Sequence, residues 1–73
     1  PLGELRLTMN YMTRNLLPQD QSKAMQITRN FFNDLVAVDQ AAQQGDAKKV
    51  LLNAREAIAD IDNFLQLLPQ TAE

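Results

Sequence analysis

The sequence predicts an all-α protein, built as an antiparallel up-down bundle of helices. Apolar residues recur at steps of three and four along most of the chain, which is the spacing that places them on one face of a helix. Pro18, Gly45 and Pro69 interrupt this spacing, and no stretch alternates polar and apolar residues as a strand does. These observations predict three helices, over about 3–17, 19–44 and 47–68, within a single domain that covers residues 1–73.

The first predicted helix has apolar residues on two sides. A stripe suited to a core is formed by Leu5, Met9, Met12 and Leu16. Pro18 biases the residue before it away from helical dihedral angles, so we expect a break near Leu17. On the side opposite the stripe, Leu7 and Tyr11 form an i,i+4 apolar pair. The core does not need this pair, so Leu7 and Tyr11 are candidates for contact with a partner or a further helix.

The second predicted helix has an unusually wide apolar arc. Its stripe consists of Ala24, Ile27, Phe31, Leu35, Val38 and Ala42. At about 100° per residue, Met25, Phe32 and Val36 lie roughly 80–120° away from this stripe. We expect Met25 to fill gaps in the core, as methionine commonly does. One neighbouring helix on each side would use the arc, and a fourth helix would use it better.

The third predicted helix follows a tight turn and has the most regular periodicity in the chain. Gly45 suits the left-handed position after a helix, and Asp46 suits the N-cap of the next one. The stripe comprises Ala47, Val50, Ala54, Ala57, Ile61, Phe64 and Leu68, and a wider core-facing arc adds Leu51, Ile58 and Leu65. Together with the excess apolar surface on the other helices, this predicts a four-helix bundle of which three helices are present.

The composition excludes most catalytic chemistry. The chain has no cysteine and no histidine, so it lacks a thiolate nucleophile, soft metal ligands and the commonest general base. The two glycines and one serine do not form a phosphate-binding loop or a nucleophile elbow. Nine acidic and seven basic residues give a net charge of −2, without the basic face that nucleic-acid binding needs. We therefore expect a non-enzymatic interaction domain with no cofactor.

Two sets of residues are candidates for binding sites. Glu56 and Asp60 share one helical face and form a weak candidate pair for Ca²⁺ or Mg²⁺. We favour instead a solvated polar face, because the neighbouring residues on this face are polar throughout. Leu67 interrupts that polar face one turn later, and we place it with Leu7 and Tyr11 in a candidate partner interface. Acid–base roles for the other helix-surface aspartates are disfavoured, since nothing marks them as buried or paired; they are Asp34, Asp39 and Asp62.

Three segments resemble the PsbQ family of extrinsic photosystem II subunits, in its cyanobacterial form. Residues 16–21 (LLPQDQ) are similar to the family's helix junction, residues 57–69 (AIADIDNFLQLLP) to its last helix, and residues 1–6 (PLGELR) to the start of its second helix. The order and spacing agree along nearly the whole chain. The resemblance implies an up-down four-helix bundle whose N-terminal region and first helix lie outside these residues.

The same resemblance implies a function. Such proteins dock on the lumenal face of photosystem II, beside other extrinsic proteins and the core antenna, where they stabilise the oxygen-evolving complex and help retain calcium and chloride. It also implies a peripheral location in the thylakoid lumen, with a lipid anchor upstream. Some members bind zinc through residues that include histidine, and no metal site is carried over because this sequence has none.

Two alternatives come from other functional classes. A helical adaptor domain unrelated to photosynthesis would bind a partner helix in the groove left by the absent fourth helix. A small carboxylate metal-binding bundle would depend on Glu56 and Asp60.

Overall fold

The computed structural model of the chain describes residues 1–69. Three α-helices follow one another within this range: α1 (Leu2–Arg14), α2 (Pro18–Gln43) and α3 (Ala47–Leu67). The described residues form no strand, so the predicted all-α class is confirmed. The observed start of α3 equals the predicted one, and the other bounds differ from the predicted ones by one to three residues. The prediction that residues 1–73 form one domain extends over 70–73, which lie outside the described residues.

Fewer residues are helical at the junction between α1 and α2 than the sequence predicted. Leu17 is extended, with φ −61° and ψ 150°, as expected before a proline. Pro18 is the first residue of α2, where its missing N–H leaves no helical hydrogen bond unmade. α1 ends at Arg14, three residues before the predicted end, because the chain needs those residues to reverse direction. The Gln21 side-chain amide closes the junction by donating to the Leu16 carbonyl at 2.8 Å.

The turn between α2 and α3 agrees with the prediction. Gly45 has φ +72°, a left-handed conformation that glycine adopts without steric cost. The N–H of Asp46 donates to the Ala41 carbonyl at 3.0 Å and that of Gly45 to Ala42 at 3.1 Å, which is the hydrogen-bond pattern of a Schellman motif. The Asp46 carboxylate then caps α3 by accepting from the Lys49 N–H at 3.0 Å. These bonds fix α2 and α3 as a helical hairpin.

The core lies along α2, which contacts both other helices, whereas α1 and α3 do not contact one another closely within residues 1–69. Its buried members are Met9, Leu16, Ala24, Phe31, Phe32, Ala57 and Phe64. Phe64 is the largest fully buried side chain, and burying a group of this size stabilises the fold by about 1.5–3 kcal/mol. Two core hydroxyls, Thr13 and Thr28, donate to carbonyls one turn earlier in their own helices.

The burial predictions for α2 are partly wrong. Phe32 agrees with the prediction that a neighbouring helix would use the arc beside the main stripe, since it is only 7% exposed and α1 covers that side of α2. Ala41 is buried and the predicted Ala42 is exposed, so the buried side of α2 is rotated by about one residue from the predicted stripe at this end of the helix. Met25 is 55% exposed and fills no gap in the core.

The predicted wide arc of α3 is also wrong. Leu51, Ile58 and Leu65 are at least half exposed, because α3 packs against α2 alone and presents this side to solvent. Leu67, by contrast, was expected to lie apart from the core. It is partly buried and packs against the core cluster, to which Leu16 of the α1–α2 junction also belongs.

Candidate docking surfaces

One side of the α1–α2 pair combines arginines with exposed apolar side chains. Two adjoining hollows lie along it, and they share Asn10 and Met25 in their linings. Leu7, Met25 and Val36 are more than half exposed there, although a small monomer normally scatters such residues singly. We call this surface the arginine face, and it consists of Arg6, Leu7, Arg14, Met25, Arg29 and Val36.

Two of the three arginines are held by aromatic rings. The Arg6 guanidinium lies 4.1 Å from the centroid of the Phe32 ring, a cation–π contact that also covers this core residue. Phe32 in turn meets Phe31 edge to face, with centroids 5.0 Å apart. The Arg14 guanidinium lies 5.9 Å from the Tyr11 ring, near the limit for such a contact. The close contact restricts the Arg6 side chain, and the longer one restricts the Arg14 side chain less.

Negative charge is sparse around the arginine face. Neither of its two hollows is lined by an aspartate or a glutamate, and Asp39 borders the face in a further hollow that it shares with Arg6 and Val36. Within residues 1–69, no carboxylate forms an ion pair with Arg6, Arg14 or Arg29. The three positive charges are therefore available to an external group.

A second surface, between α2 and α3, is almost wholly apolar. We call it the apolar groove, and it is lined by Phe31, Leu35, Val38, Ala54, Ile58 and Ile61. The exposed side chains Leu51 and Leu65 each lie about two helical turns from Ile58, on nearly the same side of α3. A fourth helix of the bundle would pack into a groove of this kind. That such a helix exists outside these residues stays a prediction.

A third feature joins α2 to α3 through two carboxyl groups. Asp60, expected on a solvated face, is partly buried, and its Oδ2 is sealed from solvent with no donor among the described residues. Burial, a hydrogen bond with Asp34, and the negative charges of Asp34 and Glu56 raise the pKa of Asp60 to about 6. Two ionised carboxylates contain no donor, so this hydrogen bond exists only when one of them carries a proton. The described part of the chain therefore brings Asp34 of α2 and Asp60 of α3 together beside one hollow.

In the described part of the chain, the fold brings no further acidic, histidine or cysteine side chain to the candidate pair Glu56 and Asp60 that would complete a metal site. Within residues 1–69, no three acidic, histidine or cysteine side chains are grouped so that they could hold a metal ion. The hollow beside Glu56 and Asp60 is completed by two asparagines, Asn30 and Asn33, together with Asp34 and Ala59. A cation site on Glu56 and Asp60 stays a prediction that the described geometry does not favour.

The structure separates the three predicted interface residues. Leu7 and Tyr11 are 69% and 63% exposed and lie on or beside the arginine face. Leu67 lies on α3, partly buried against the core. Sequence reasoning missed the arginines, although Arg6, Asn10 and Arg14 recur every four residues beside the Leu7–Tyr11 pair. It also missed the pairing of Asp34 with Asp60. Asp34 lies eleven residues before Gly45 and Asp60 lies fifteen residues after it, so counting from the turn leaves them about one helical turn out of step.

No helix in the described part of the chain combines the length and the apolar character that crossing a bilayer requires. The fold and its surfaces define a small helical bundle protein whose exposed features suit docking to another protein. The family model for PsbQ, described as oxygen evolving enhancer protein 3, matches residues 1–69. The chain belongs to the PsbQ family.

A curated relative supports the same family. The chain is 40% identical over 72 residues to the CyanoQ protein of Synechocystis sp., an alignment that includes 99% of this chain and 48% of that protein. The chain thus spans about half the length of the relative it matches. The identity extends across all three helices, so the resemblance noted from short segments is confirmed at the level of the family.

Proposed function

We propose that this chain is part of an extrinsic subunit of photosystem II, which docks on the lumenal face and stabilises the oxygen-evolving complex without catalysing a reaction. The observation that carries the proposal is the PsbQ family match over residues 1–69, together with the relative that covers all three helices. The exposed arginine face adds a surface with the composition of a protein interface. The absence of cysteine and histidine from the sequence agrees with a non-enzymatic role.

The proposed mechanism is docking and shielding. The α2–α3 hairpin is held by its Schellman turn and by the Phe64 core, and α1 packs on α2 through Met9, so a surface on α1 and α2 is already formed before binding. A rigid helical face placed over a seam between lumenal subunits would slow the exchange of water and ions there. Binding to the assembled complex alone stabilises that complex by mass action. Retention of calcium and chloride would follow from slower exchange, and no ion ligand in this chain is required.

The same proposal places the protein in the thylakoid lumen, with a lipid anchor contributed by residues outside this chain. It also includes contact with the other extrinsic proteins and with the core antenna. These parts of the proposal are supported by family membership. The family match also favours this proposal over an adaptor unrelated to photosynthesis, although the apolar groove could accept a helix in either case.

Gene deletion tests the proposal. In the deletion strain we expect oxygen evolution to decline when both calcium and chloride are scarce, and to approach the wild-type rate when both are abundant. Re-expression of the protein should restore the rate under scarcity. Oxygen evolution that is unchanged by deletion under depletion of both ions would contradict the stabilising role. Failure of the protein to co-purify with photosystem II would contradict docking itself.

A further inference from the structure

The charges of the arginine face are predominantly positive, and Asp39 is the carboxylate at its edge, beside Arg6 and Val36. Arg6, Arg14 and Arg29 lie along the α1–α2 pair, and neither of its hollows has an acidic lining residue within 1–69. The charges of α3 are mixed, since Arg55 is followed directly by Glu56. The net charge of the chain is −2, so this positive surface is local and does not follow from overall composition.

The type of basic residue is informative. All three are arginines, whose planar guanidinium binds a carboxylate through two parallel hydrogen bonds, and the α3 cations include Lys48 and Lys49. Stacking of Arg6 on Phe32 leaves the edge of the guanidinium free to donate hydrogen bonds. Such stacked arginines lose less side-chain freedom on binding than free ones do.

Apolar side chains alternate with these arginines. Leu7 and Met25 are 69% and 55% exposed and lie in the same hollow as Arg14. Val36 is 56% exposed and lies in the hollow of Arg6 and Arg29. Arginine, methionine and aromatic residues are enriched in protein interfaces, and charge flanking an apolar centre is the usual arrangement there.

We propose that the arginine face is the surface by which this protein docks, and that its occupant is a photosystem II segment with carboxylates beside apolar side chains. The inference depends on the proposed function and adds to it the face and the chemistry of the partner. Carboxylates of the partner would pair with Arg6, Arg14 and Arg29, while its apolar side chains would cover Leu7 and Met25. The apolar groove has one charged lining residue, Asp62, and so lacks the positive charges that would select an acidic partner.

A charge reversal with a matched control tests the inference. Arg29→Glu changes the arginine face, and Arg55→Glu makes the same change of charge at another exposed helical arginine, on α3. Both positions are free of ion pairs within the described residues. The affinity of the full-length protein for photosystem II particles stripped of the native subunit should fall at least fivefold for Arg29→Glu and less than twofold for Arg55→Glu. Higher salt should weaken wild-type binding and reduce the difference between wild type and Arg29→Glu.

An apolar pair of variants gives an independent measurement. Leu7→Ser should lower the affinity several-fold, whereas Leu52→Ser, at another exposed leucine on α3, should leave it within twofold of wild type. Circular dichroism checks helicity, and if Arg29→Glu lost helical signal, the leucine pair would decide the outcome. Wild-type protein that does not bind stripped particles would overturn the proposed function. Wild-type binding with equal losses on both faces, or with no loss, would overturn the arginine face and leave the proposed function standing.

Discussion

At the scale of single residues, the Asp34–Asp60 pair links protonation to the α2–α3 interface. The pKa of Asp60 is raised from 3.8 to about 6, first by burial and then by the hydrogen bond and charge of Asp34. A carboxyl group with a higher pKa in the folded state binds more protons when folded, so folding stability rises as pH falls between those two values. The effect is absent below about pH 4, where both states are protonated, and the repulsion is fully present above about pH 7.

Asp60→Asn should remove this pH dependence. The amide can donate to the Asp34 carboxylate at every pH, so we expect the free energy of unfolding at pH 7 to rise by about 1 kcal/mol, a value reduced by partial solvent screening. Urea unfolding at pH 7 and pH 5 measures it, with Asp62→Asn as the control because Asp62 is exposed on the same helix. If lowering the pH from 7 to 5 reduced the stability of the wild type, and reduced that of Asp60→Asn by the same amount, the coupling of Asp60 to Asp34 would be contradicted.

At the scale of helices, α1 and the α2–α3 hairpin differ in how firmly they are held. α1 contacts α2 alone, and its apolar anchors in the core are Met9 within the helix and Leu16 just after its end. Regions with few buried apolar contacts open at lower free energy than the global core. We therefore expect α1 to detach in local openings that leave the hairpin intact.

Met9→Ala should make this difference visible by amide hydrogen exchange. Loss of a buried methionine side chain costs about 2–5 kcal/mol, and here the cost falls on the docking of α1. Exchange should accelerate tenfold or more in residues 5–14 and change little around Phe64. Leu7→Ala on the exposed side of α1 serves as the control and should leave both rates nearly unchanged. Equal acceleration in all three helices after Met9→Ala would mean that the molecule opens as one unit.

The helices could be predicted from the sequence because their signals are local. Pro18 and the Gly45–Asp46 pair act on the dihedral angles and hydrogen bonds of their immediate neighbours, and each lies where it was expected. The buried arc of a helix depends instead on where its neighbours pack. Phe32 is buried because Arg6 of α1 lies over it, and Ile58 is exposed because nothing within residues 1–69 packs on that side of α3.

The candidate surfaces were predictable to different degrees. Leu7 and Tyr11 could be assigned from their spacing, since both lie opposite the core stripe of one helix. The arginine face could not be predicted without knowing how α1 packs on α2, because Arg29 lies on a different helix from Arg6. Leu67 was placed in the interface from its polar neighbours on α3, yet the end of α3 packs against the core.

At the scale of the whole molecule, the surface is divided by function and by chemistry. The arginine face lies on the α1–α2 side, and the acidic hollow with Asp34 and Asp60 lies between α2 and α3. The apolar groove is also formed by α2 and α3 but is lined by other residues of these helices. This layout places the three arginines on the α1–α2 side, away from the acidic hollow between α2 and α3.

The apolar groove should be detectable in solution as a binding site for apolar molecules. An uncovered groove of this composition should bind an apolar fluorescent dye when the 73-residue chain is studied by itself. Ile58→Lys places a charge in the groove and should reduce the dye signal by more than half, whereas Leu52→Lys, at a comparably exposed position outside the groove, should reduce it far less. Because Ile58 is 66% exposed, the stability cost of its replacement should stay near 0.5 kcal/mol or below, roughly the range for surface substitutions. A large loss of stability in Ile58→Lys would instead mean that another surface already covers the groove in solution.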